Sequence, residues 1–581
     1  MPDPRLVLAA RVQAALSAAF GPSYADTDPV IRPSQFADLQ ANVALPLAKK
    51  LGRKPRDVAE EIVANLDAGG VVSDVQVSGP GFINLTLNDA WIAAEAQRAL
   101  EDERLGVPPV DKPQKVVVEY SSPNVAKEMH VGHLRTTIVG DAIARILEFL
   151  GHDVVRDNHL GDWGTPFGML IEHLVDLGED AAARGDSSVS DLTAFYQAAR
   201  EKFDGDPDFA DRSRKRVVAL QAGDAETLRL WQVLVDVSKR YFNEVYHRLG
   251  ITLTDDHIRG ESFYNDLLAP TVQELQDKGI AVVSDGALCA FPPGFTGRDG
   301  EPLPVIIRKR DGGYNYSTTD LATIRYRVDT EHVDRMIYVV GAPQALHFQM
   351  VFAVARMAGW LNDHVKAEHA QIGNVLGTDG KILRTRAGGT VKLSELLDEA
   401  VERAAAVFDE IQHEEPFDDA TRDAIIRDVA MGAVKYADLS VARDSEYVFD
   451  FDRMISFNGK TGPYLQYATA RIRSIFRKGG IAPEDATGPI VLGHPAERAL
   501  ALELLGFGSV LNQVDETTEP HRLANYVYSV ADAYTTFYEN CPVLKAPDEE
   551  TKASRLALCA ATLRTLTTGL SLLGVPTPER M

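Results

Sequence analysis

The sequence predicts a multidomain α/β protein built around a doubly wound parallel sheet. Three observations lead to this fold class. The chain has 581 residues, too many for a single hydrophobic core. A strand, a helix and a second strand follow one another between residues 115 and 156, the order of a parallel βαβ unit. From about residue 393 onward the pattern is almost entirely helical, which indicates a separate helical bundle.

The central βαβ unit begins with the apolar, β-branched run Val116 to Val118, which is typical of a buried strand. A loop of small, turn-forming residues follows and ends in the sequence HVGH, residues 130–133. Apolar residues at helical spacing predict a helix as far as Leu150, and residues 151–156 form its end and the second strand. In such a sheet, ligands bind outside the carboxyl ends of the strands.

The same patterns divide the chain into five parts. In order, we expect a small α+β module at 1–87, a proline-containing linker at 88–113, the central domain at 114–390 with an inserted segment at about 179–300, a connecting segment at 391–455 and a helical domain at 456–581. Further strands are predicted at 281–284, 305–308, 336–341 and 371–376, and further helices at 194–203, 226–249, 465–476, 496–510, 521–538 and 551–573.

Composition excludes several classes of function. A net charge of −24 argues against a general nucleic-acid coat, but not against an RNA enzyme with a local basic patch. No run reaches the roughly 18 apolar residues of a membrane span, and the N-terminus is typical of an amphipathic helix and not of a secretory signal. Three scattered cysteines form neither a disulfide framework nor a zinc pattern. We therefore expect a cytoplasmic protein with no membrane contact and no protein-bound zinc.

The HVGH stretch has the features of a polyphosphate site. A helix N-terminus offers free N–H groups and the positive end of the helix dipole. Gly132 lets a ligand approach the backbone, and His130 and His133 can donate to oxygens that become more negative in a transition state. A basic, glycine-rich loop at 377–389 is a candidate mobile phosphate clamp. Together these features predict a nucleotide-activating enzyme.

Other candidate residues have simpler explanations when taken alone. Glu128 and Asp141 could join the two histidines around a metal, but no zinc-type signature completes the set. Isolated carboxylates, here Glu119, Glu261 and Asp320, are more often solvated or capping groups than ligands. The tyrosines near residue 465 are expected in the core or at an interface, unless the helical domain binds RNA and they stack on its bases.

Several motifs, in the same order, resemble those of one known family. The segment SSPNVAKEMHVGHLRTTIVGDAIAR resembles the class I HIGH signature in the form found in arginyl-tRNA synthetases; the motif itself comprises Pro123, Asn124, Val125, Ala126, Lys127, Glu128, Met129, His130, Val131, Gly132 and His133. HLGDWGTPFG, GES at 260–262, YSTTDLA, HFQMVF and TRAGGTVKL match further motifs. EPHRLANYVYSVADAYTTFYENCPVL and LLGVPTPERM resemble the anticodon-binding domain, and FADLQANVALPLAK and GPGFINLTL the additional N-terminal domain.

The resemblance covers nearly the whole chain and implies a class I, Rossmann-like catalytic domain with helical insertions. It implies an N-terminal α+β domain that meets the tRNA elbow and a C-terminal α-helical bundle that binds the anticodon. The implied reaction converts ATP, L-arginine and tRNA(Arg) into AMP, pyrophosphate and L-arginyl-tRNA(Arg) through an arginyl-adenylate. ATP with Mg²⁺ is then a substrate complex, and no tightly bound cofactor is expected.

The resemblance also assigns the ATP site. His130 and His133 match the signature histidines that stabilise charge on the α-phosphate, and Gly132 would let the adenine end pack closely. The second family signature, KMSKS, is degraded, because Ile382 stands where its first lysine would be. Relatives that lack this lysine carry one just before HIGH, where this chain has Lys127. Lys127 is therefore the expected main phosphate contact; further ATP contacts are expected from Lys381, Arg384 and Arg386.

Arginine recognition requires acceptors for a planar guanidinium with five donors. By motif position these are Glu261, Asp320 and Tyr316, while Ser122, Asn124 and Gln344, with Glu119 nearby, would meet the α-amino and α-carboxyl groups. A neutral amino acid would leave such carboxylates unpaired, so no editing domain is expected.

For tRNA, the matched positions in the helical domain are Tyr464, Gln466, Tyr467 and Asn525. A monomer is expected, and the family's usual dependence of adenylate formation on bound tRNA is carried over as a hypothesis. Two alternatives stay open: a duplicated arginyl-tRNA synthetase with a resistance or non-translational role, and a catalytically silent tRNA-binding protein. Retention of both histidines and Lys127 argues against the silent protein.

Overall fold

The N-terminal domain is a four-stranded antiparallel sheet with helices packed on it. Residues 3–178, 192–384, 390–410 and 416–581 are described by the structure, which is a computed structural model. The first elements are α1 (Pro4–Phe20), β1 (Ile31–Pro33), β2 (Leu39–Ala41), α2 (Ala44–Leu51), α3 (Pro55–Ala64), β3 (Val72–Ser78), β4 (Phe82–Leu87) and the linker helix α4 (Asp89–Glu101). The strand order is β1-β2-β4-β3, so the predicted α+β fold of this domain is confirmed.

The central domain contains the predicted parallel sheet. Its strands are β5 (Lys115–Glu119), β6 (Asp153–Asp157), β10 (Arg335–Gly341) and β11 (Lys366–Ile372), and its helices are α5 (Val131–Leu150), α11 (Tyr316–Asp329) and α12 (Ala345–Met357). The strand order is β11-β10-β5-β6, and every pair is parallel. Val116, Val117 and Val118 of β5 are all fully buried, as expected for a central strand that is covered on both faces.

The insertion after β6 is helical at first and then forms a second sheet. Its helices are α6 (Pro166–Leu177), α7 (Leu192–Gly205), α8 (Pro207–Gln221), α9 (Ala225–Leu249) and α10 (Asn265–Asp277), followed by the strands β7 (Ala281–Ser284), β8 (Ala287–Ala290) and β9 (Val305–Arg308). These three strands form an antiparallel sheet of their own. The strands predicted at 281–284 and 305–308 therefore exist but do not extend the parallel sheet.

One predicted strand is divided in two. Residues 371–376 were expected to form a single strand, but β11 ends at Ile372, and the short strand β12 (Val375–Leu376) pairs with β13 (Tyr447–Val448). A Cβ at Gly373 would lie 2.4 Å from the carbonyl oxygen of Ser445, so the chain turns where only a glycine fits against the neighbouring backbone. This division separates the basic loop from the sheet.

The remaining chain is helical, as predicted. Its helices are α13 (Leu393–Glu410), α14 (Asp419–Leu439), α15 (Phe451–Met454), α16 (Gly462–Gly479), α17 (Pro495–Leu504), α18 (Phe507–Thr517), α19 (His521–Asn540) and α20 (Glu549–Leu572). The helix predicted at 496–510 is really two, α17 and α18, with Gly506 between them against the ring of Tyr526. None of the helices in the described ranges has the length and apolar character needed to cross a membrane.

Two hydrogen bonds made by buried charged side chains hold helix α14 against the catalytic domain, one to the signature helix α5 and one to the end of α9. Arg135 donates from Nε to both carboxylate oxygens of Asp438 at 3.1 Å, and both side chains are almost completely buried. One turn earlier, the buried Nζ of Lys435 donates to the carbonyl oxygen of Leu249 at 2.7 Å. The register of α14 against the catalytic domain is therefore set by charged groups that have no access to water.

Candidate active site

The N-terminus of α5 is capped by the two signature histidines. Nδ1 of His130 accepts a hydrogen bond from the N–H of Gly132 at 3.0 Å, and Nδ1 of His133 accepts one from the N–H of His130 at 3.1 Å. Since Nδ1 is an acceptor in each ring, a neutral imidazole carries its proton on Nε2. Both histidines therefore present an Nε2–H donor, the form that a phosphate oxygen requires.

Burial keeps both imidazoles neutral. Burial, and after it the neighbouring His130, lower the pKa of His133 to about 3. Burial and the charge of Lys127 also lower the pKa of His130. The two rings lie 4.0 Å apart between centroids, so protonating one would disfavour protonating the other. Neutral donors at physiological pH follow from this arrangement.

The fold requires a glycine at position 132 for a reason that the sequence does not show. A Cβ on this residue would lie 2.8 Å from Cε1 of His130, inside the contact limit. Any side chain here would displace the His130 ring from its capping position. The glycine is thus required by the histidine pair, independently of a ligand that approaches the backbone.

The loop between β5 and α5 is held in an unusual backbone conformation. Ser121, Ser122 and Ala126 have positive φ angles of 69°, 49° and 60°. Such angles are unfavourable for non-glycine residues and persist only where the surroundings impose them. Here Oγ of Ser121 lies 2.7 Å from the hydroxyl of Tyr246, and the N–H of Ala126 donates to Oγ of Ser238 at 2.9 Å.

Both supporting residues, Tyr246 and Ser238, lie on the inserted helix α9. The sequence predicts a helix at 226–249 but gives no sign that its side chains support the signature loop. The buried Oγ of Ser122 has no hydrogen-bond partner among the described residues, and Asn124 is exposed beside Gly161.

The cations that are predicted to bind phosphate come from two segments, the HIGH-type motif and the loop after β12. Nζ of Lys127 lies 4.6 Å from the centroid of the Tyr196 ring on α7, and the side chain is exposed. Lys381 and Arg384 are exposed on the loop after β12, which lines a cavity of about 1070 Å³. Arg386 lies outside the described residues.

The end of this loop is tied directly to the signature. The N–H of Val131 donates to the carbonyl oxygen of Val391 at 3.0 Å, and the N–H of Leu393 donates to that of Met129 at 2.9 Å. His130 and Lys392 thereby form an antiparallel bridge. Although about 260 positions separate them in the chain, the loop end and the HIGH-type motif are neighbours.

Five carboxylates surround His159 at the carboxyl end of the sheet. They belong to Glu119, Asp157, Asp162, Glu261 and Asp320. Burial alone would lower the pKa of His159, but the negative charges of its neighbours outweigh this effect and raise it. Burial, together with the charges of Asp162 and Asp320, raises the pKa of Glu261 to about 7, although His159 opposes the shift. Negative charge is in excess here.

Part of this charge is already neutralised. Nη2 of the fully buried Arg327, on α11, donates to Oε2 of Glu119 at 2.7 Å and to Oδ2 of Asp157 at 2.9 Å. Asp162 accepts hydrogen bonds from the N–H and Oγ of Ser262 at 2.8 and 2.6 Å. Glu119 was expected near the arginine backbone, but one of its oxygens is engaged by Arg327, which sequence analysis did not identify.

Asp320 and Tyr316 both contact His347, and Gln344 directly precedes the helix that carries this histidine. Nε2 of His347, a further residue not foreseen, lies 2.5 Å from Oδ2 of Asp320. The rings of Tyr316 and His347 are 4.8 Å apart, and Tyr316 is 61% exposed. Gln344 is exposed in the short 3-10 turn that follows β10.

The predicted tRNA contact of Gln466 is wrong, because this side chain is not at the surface. Gln466 is fully buried, and its Nε2 donates to the carbonyl oxygens of Asp428 and Pro576 at 2.8 and 2.9 Å. It fastens the C-terminal tail to α14 and α16, so it cannot contact a nucleotide in this conformation. Glutamine is mostly exposed in proteins, so its polar side chain gives no reason to expect it in the core.

The other three predicted tRNA residues lie nearer the surface. The Tyr464 hydroxyl is 3.0 Å from Oγ1 of Thr535 and is partly buried. Tyr467 is partly exposed, and the guanidinium of Arg471 lies over its ring at 4.8 Å. Oδ1 of Asn525 accepts a hydrogen bond from Lys460.

Three family models match the chain in succession. They describe the arginyl-tRNA synthetase N-terminal domain at residues 6–87, the class I tRNA synthetase (R) catalytic domain at 95–451 and the DALR anticodon-binding domain at 465–581. The catalytic match alone covers more than half of the sequence. The chain belongs to the class I arginyl-tRNA synthetases.

Individual members of the family match over the full length. The arginine–tRNA ligase of Thermobifida fusca is 66% identical over 581 residues and covers 100% of both chains, and that of Frankia casuarinae is 53% identical with 98% of both covered. The solved arginyl-tRNA synthetase of Plasmodium falciparum has a TM-score of 0.84 at 29% identity, covering 99% of both chains. The solved arginyl-tRNA synthetase of Thermus thermophilus has a TM-score of 0.81 at 26% identity, and the match covers 99% of this chain and 100% of that chain. The predicted family and fold are confirmed.

Proposed function

We propose that this arginine–tRNA ligase activates arginine between the carboxylate cluster and the N-terminus of α5. As a member of the family, it joins arginine to tRNA through an arginyl-adenylate, with ATP as the second substrate. The observation that carries the assignment of the site is the excess of carboxylates around His159, in a segment that is bridged through Gly161 to Asn124 of the loop that leads to the two neutral imidazole donors. A cation and a polyphosphate would therefore meet across one short segment.

In this proposal, the guanidinium of arginine pairs with Asp320 and Glu261, and Tyr316 covers it. Charged pairing in this partly buried site disfavours neutral amino acids, because they would leave the carboxylates without partners. Ser122, Asn124 and Gln344 hold the α-amino and α-carboxyl groups. Glu119 accepts a hydrogen bond from Arg327 and adds its negative charge to the cluster that attracts the guanidinium. The arginine carboxylate then lies beside the ATP α-phosphate, in position for attack.

Towards ATP, His130 and His133 donate from Nε2 to the α-phosphate as charge develops. Lys127 is the main cationic contact to the phosphates, and Lys381 and Arg384 contribute from the loop that is tied back to Val131. Mg²⁺ enters with ATP as part of the substrate. Arg386 retains its sequence-based assignment as an ATP contact.

For tRNA, we propose that Tyr467 and Tyr464 stack on bases of the anticodon loop and that Asn525 offers its amide. The exposed ring of Tyr467 with Arg471 above it is the kind of platform on which bases stack. The enzyme is proposed to act as a cytoplasmic monomer, which sedimentation at working concentration would test.

Aminoacylation with arginine, compared with lysine and other amino acids, tests the whole assignment. Charging with arginine is expected, and failure to charge would support the silent tRNA-binding alternative. Genetic depletion distinguishes a housekeeping enzyme, whose loss stops growth, from a dispensable second copy. The proposed tRNA requirement is tested by arginine-dependent ATP–pyrophosphate exchange with and without tRNA; full exchange without tRNA would refute it.

A further inference from the structure

Helix α9 of the insertion reaches the active-site loops through three polar groups on one face. They belong to Trp231, Ser238 and Tyr246, which follow one another at intervals of seven and eight residues. Each interval is close to two helical turns, so the three side chains lie on the same face over about 22 Å of helix. Ser238 and Tyr246 are buried, which means that this face of α9 is turned into the protein.

Two of the three groups each bind one of the loops that follow the central strands. Nε1 of Trp231 donates to the carbonyl oxygen of Asp162 at 2.7 Å, in the loop after β6. Oγ of Ser238 accepts a hydrogen bond from the N–H of Ala126 at 2.9 Å, in the loop after β5. The helix therefore spans both loops at the carboxyl ends of β5 and β6, where the substrates are proposed to bind.

The hydroxyl of Tyr246 is the point at which the two loops meet. It lies 2.7 Å from Oγ of Ser121 and accepts a hydrogen bond from Nδ2 of Asn158 at 3.1 Å. The amide of Asn158 extends the network, because its Oδ1 accepts a hydrogen bond from the N–H of Ser122 at 3.1 Å. Oγ1 of Thr137, on the signature helix α5, donates to Oγ of Ser121 at 2.9 Å. A single phenol thus links the loop after β5, the loop after β6 and α5.

This network holds two residues in an unfavourable backbone conformation. Ser121 and Ser122 have φ angles of 69° and 49°, which persist in non-glycine residues only where the surroundings impose them. Oγ of Ser122 is buried without a hydrogen-bond partner among the described residues, and it is the group that we place against the α-amino and α-carboxyl groups of arginine. A relaxation of Ser121 would therefore move a group that orients the reacting carboxylate.

We propose that Tyr246 is a positioning residue for arginine activation, which acts through Ser121 and Asn158 to hold Ser122 in place. The inference rests on the proposed placement of arginine between Ser122 and the carboxylate cluster. The phenol contacts neither substrate, so it contributes through geometry, since the attack on the α-phosphate requires the reacting atoms to be aligned at about 3–3.5 Å. The guanidinium is bound by other residues. Tyr246 therefore affects the rate of activation and not the affinity for arginine.

The test compares Tyr246→Phe with Tyr526→Phe. Tyr526 is a buried tyrosine of the helical domain whose hydroxyl donates to the carbonyl oxygen of Glu503 at 3.0 Å, so the control also removes a buried hydroxyl and its hydrogen bond. In ATP–pyrophosphate exchange with saturating tRNA, Tyr246→Phe should lower kcat about tenfold and change the KM for arginine by less than about twofold. Both variants should lower the Tm by a similar amount, but the control should keep the kcat of the wild type.

A double-mutant cycle shows whether the effect passes through the network. Ser121→Ala and Tyr246→Phe remove the same contact, so the double variant should lose about as much in kcat as Tyr246→Phe alone, and not the product of the two single losses. Agmatine keeps the guanidinium of arginine but lacks its carboxyl group. It should inhibit exchange with the same inhibition constant in the wild type and in Tyr246→Phe.

A kcat of Tyr246→Phe equal to that of the wild type would overturn the proposal, as would an equal loss in Tyr526→Phe. A rise in the KM for arginine matched by the inhibition constant of agmatine, at unchanged kcat, would assign Tyr246 to binding and overturn it as well. Ser122→Ala separates these results from the proposed function. No change in kcat or in the KM for arginine in Ser122→Ala would refute the proposed placement of arginine, whereas a lower kcat there, with none in Tyr246→Phe, would refute the positioning role alone.

Discussion

The two halves of the active site solve opposite electrostatic problems. On the proposed ATP side, the Nδ1 atoms of His130 and His133 accept hydrogen bonds within the fold, and both rings stay neutral. On the proposed arginine side, five carboxylates are gathered around His159 and Arg327, and these two cations do not balance them. The free enzyme therefore holds unfavourable negative charge where we propose that the guanidinium binds, and we infer that selectivity for arginine comes from this charge.

The largest effect is expected on the ATP side. His133→Ala should lower the rate of ATP–pyrophosphate exchange by ~10²-fold or more, since a transition-state donor is lost. The change also removes the acceptor for the N–H of His130, at a cost of about 1 kcal/mol in folding free energy. Exchange kinetics with saturating tRNA, together with arginine binding by calorimetry, measure the two roles. Loss of arginine binding by the same factor would mean that His133 is structural.

The matching change on the arginine side is Asp320→Asn. Loss of a charged hydrogen bond to the guanidinium should cost about 2 kcal/mol, or roughly 30-fold in the KM for arginine. The KM for ATP should change little. Asp329→Asn on the same helix is the control, because Asp329 lies at the far end of α11 with Arg325 at 3.7 Å. An unchanged KM for arginine in Asp320→Asn would remove this residue from the site.

A smaller effect on the ATP side distinguishes the cations. Lys127→Met keeps the aliphatic stem against Tyr196 but removes the charge, and should raise the KM for ATP about tenfold. Lys381→Met should have a smaller effect, because Lys381 is one of several contributors on the loop. Steady-state exchange at varied ATP measures both. A larger effect from Lys381 would reverse the proposed division of labour.

At neutral pH the smallest effect is the protonation of Glu261 on the proposed arginine side, and it grows as the pH falls. The pKa of Glu261 is about 7 in the free enzyme, so arginine must displace a proton below this pH. Arginine affinity should therefore fall by up to ~tenfold per pH unit below pH 7 and level off above it.

The same shift has a consequence for stability. Because the pKa of Glu261 is raised from 4.5, the stability that its protonated form contributes should be lost as the pH rises from about 4.5 to about 7.

Glu261→Gln should flatten the pH dependence of arginine affinity, although His159, Asp162 and Asp320 surround the same position. A dependence that persists unchanged in this variant would assign it to one of those neighbours.

The sequence predicts the ATP half better than the arginine half, for a physical reason. The histidine cap is local: a strand, a loop and a helix start occupy 26 consecutive residues, 115–140, and their pattern is visible in the chain. The arginine half is assembled from distant segments. Glu119 and Arg327 are 208 positions apart, and no local pattern indicates that they meet. The roles of Tyr246 and Ser238 were hidden in the same way, because the helical pattern at 226–249 does not indicate a contact with Ser121 or Ala126.

The contacts of Arg135 and Lys435 bear on how the protein can be divided. A fragment that ended near residue 390, at the predicted limit of the central domain, would lack Asp438 and so leave the guanidinium of Arg135 inside the catalytic core without its carboxylate. Separating such a buried pair typically costs 3–5 kcal/mol, a large part of the stability of a domain. The smallest catalytic piece that could be excised and remain folded should therefore extend past β13. Helix α14 contacts the catalytic domain through Asp438 and the C-terminal helical domain through Asp428. An exchange of either domain between relatives would therefore have to include α14.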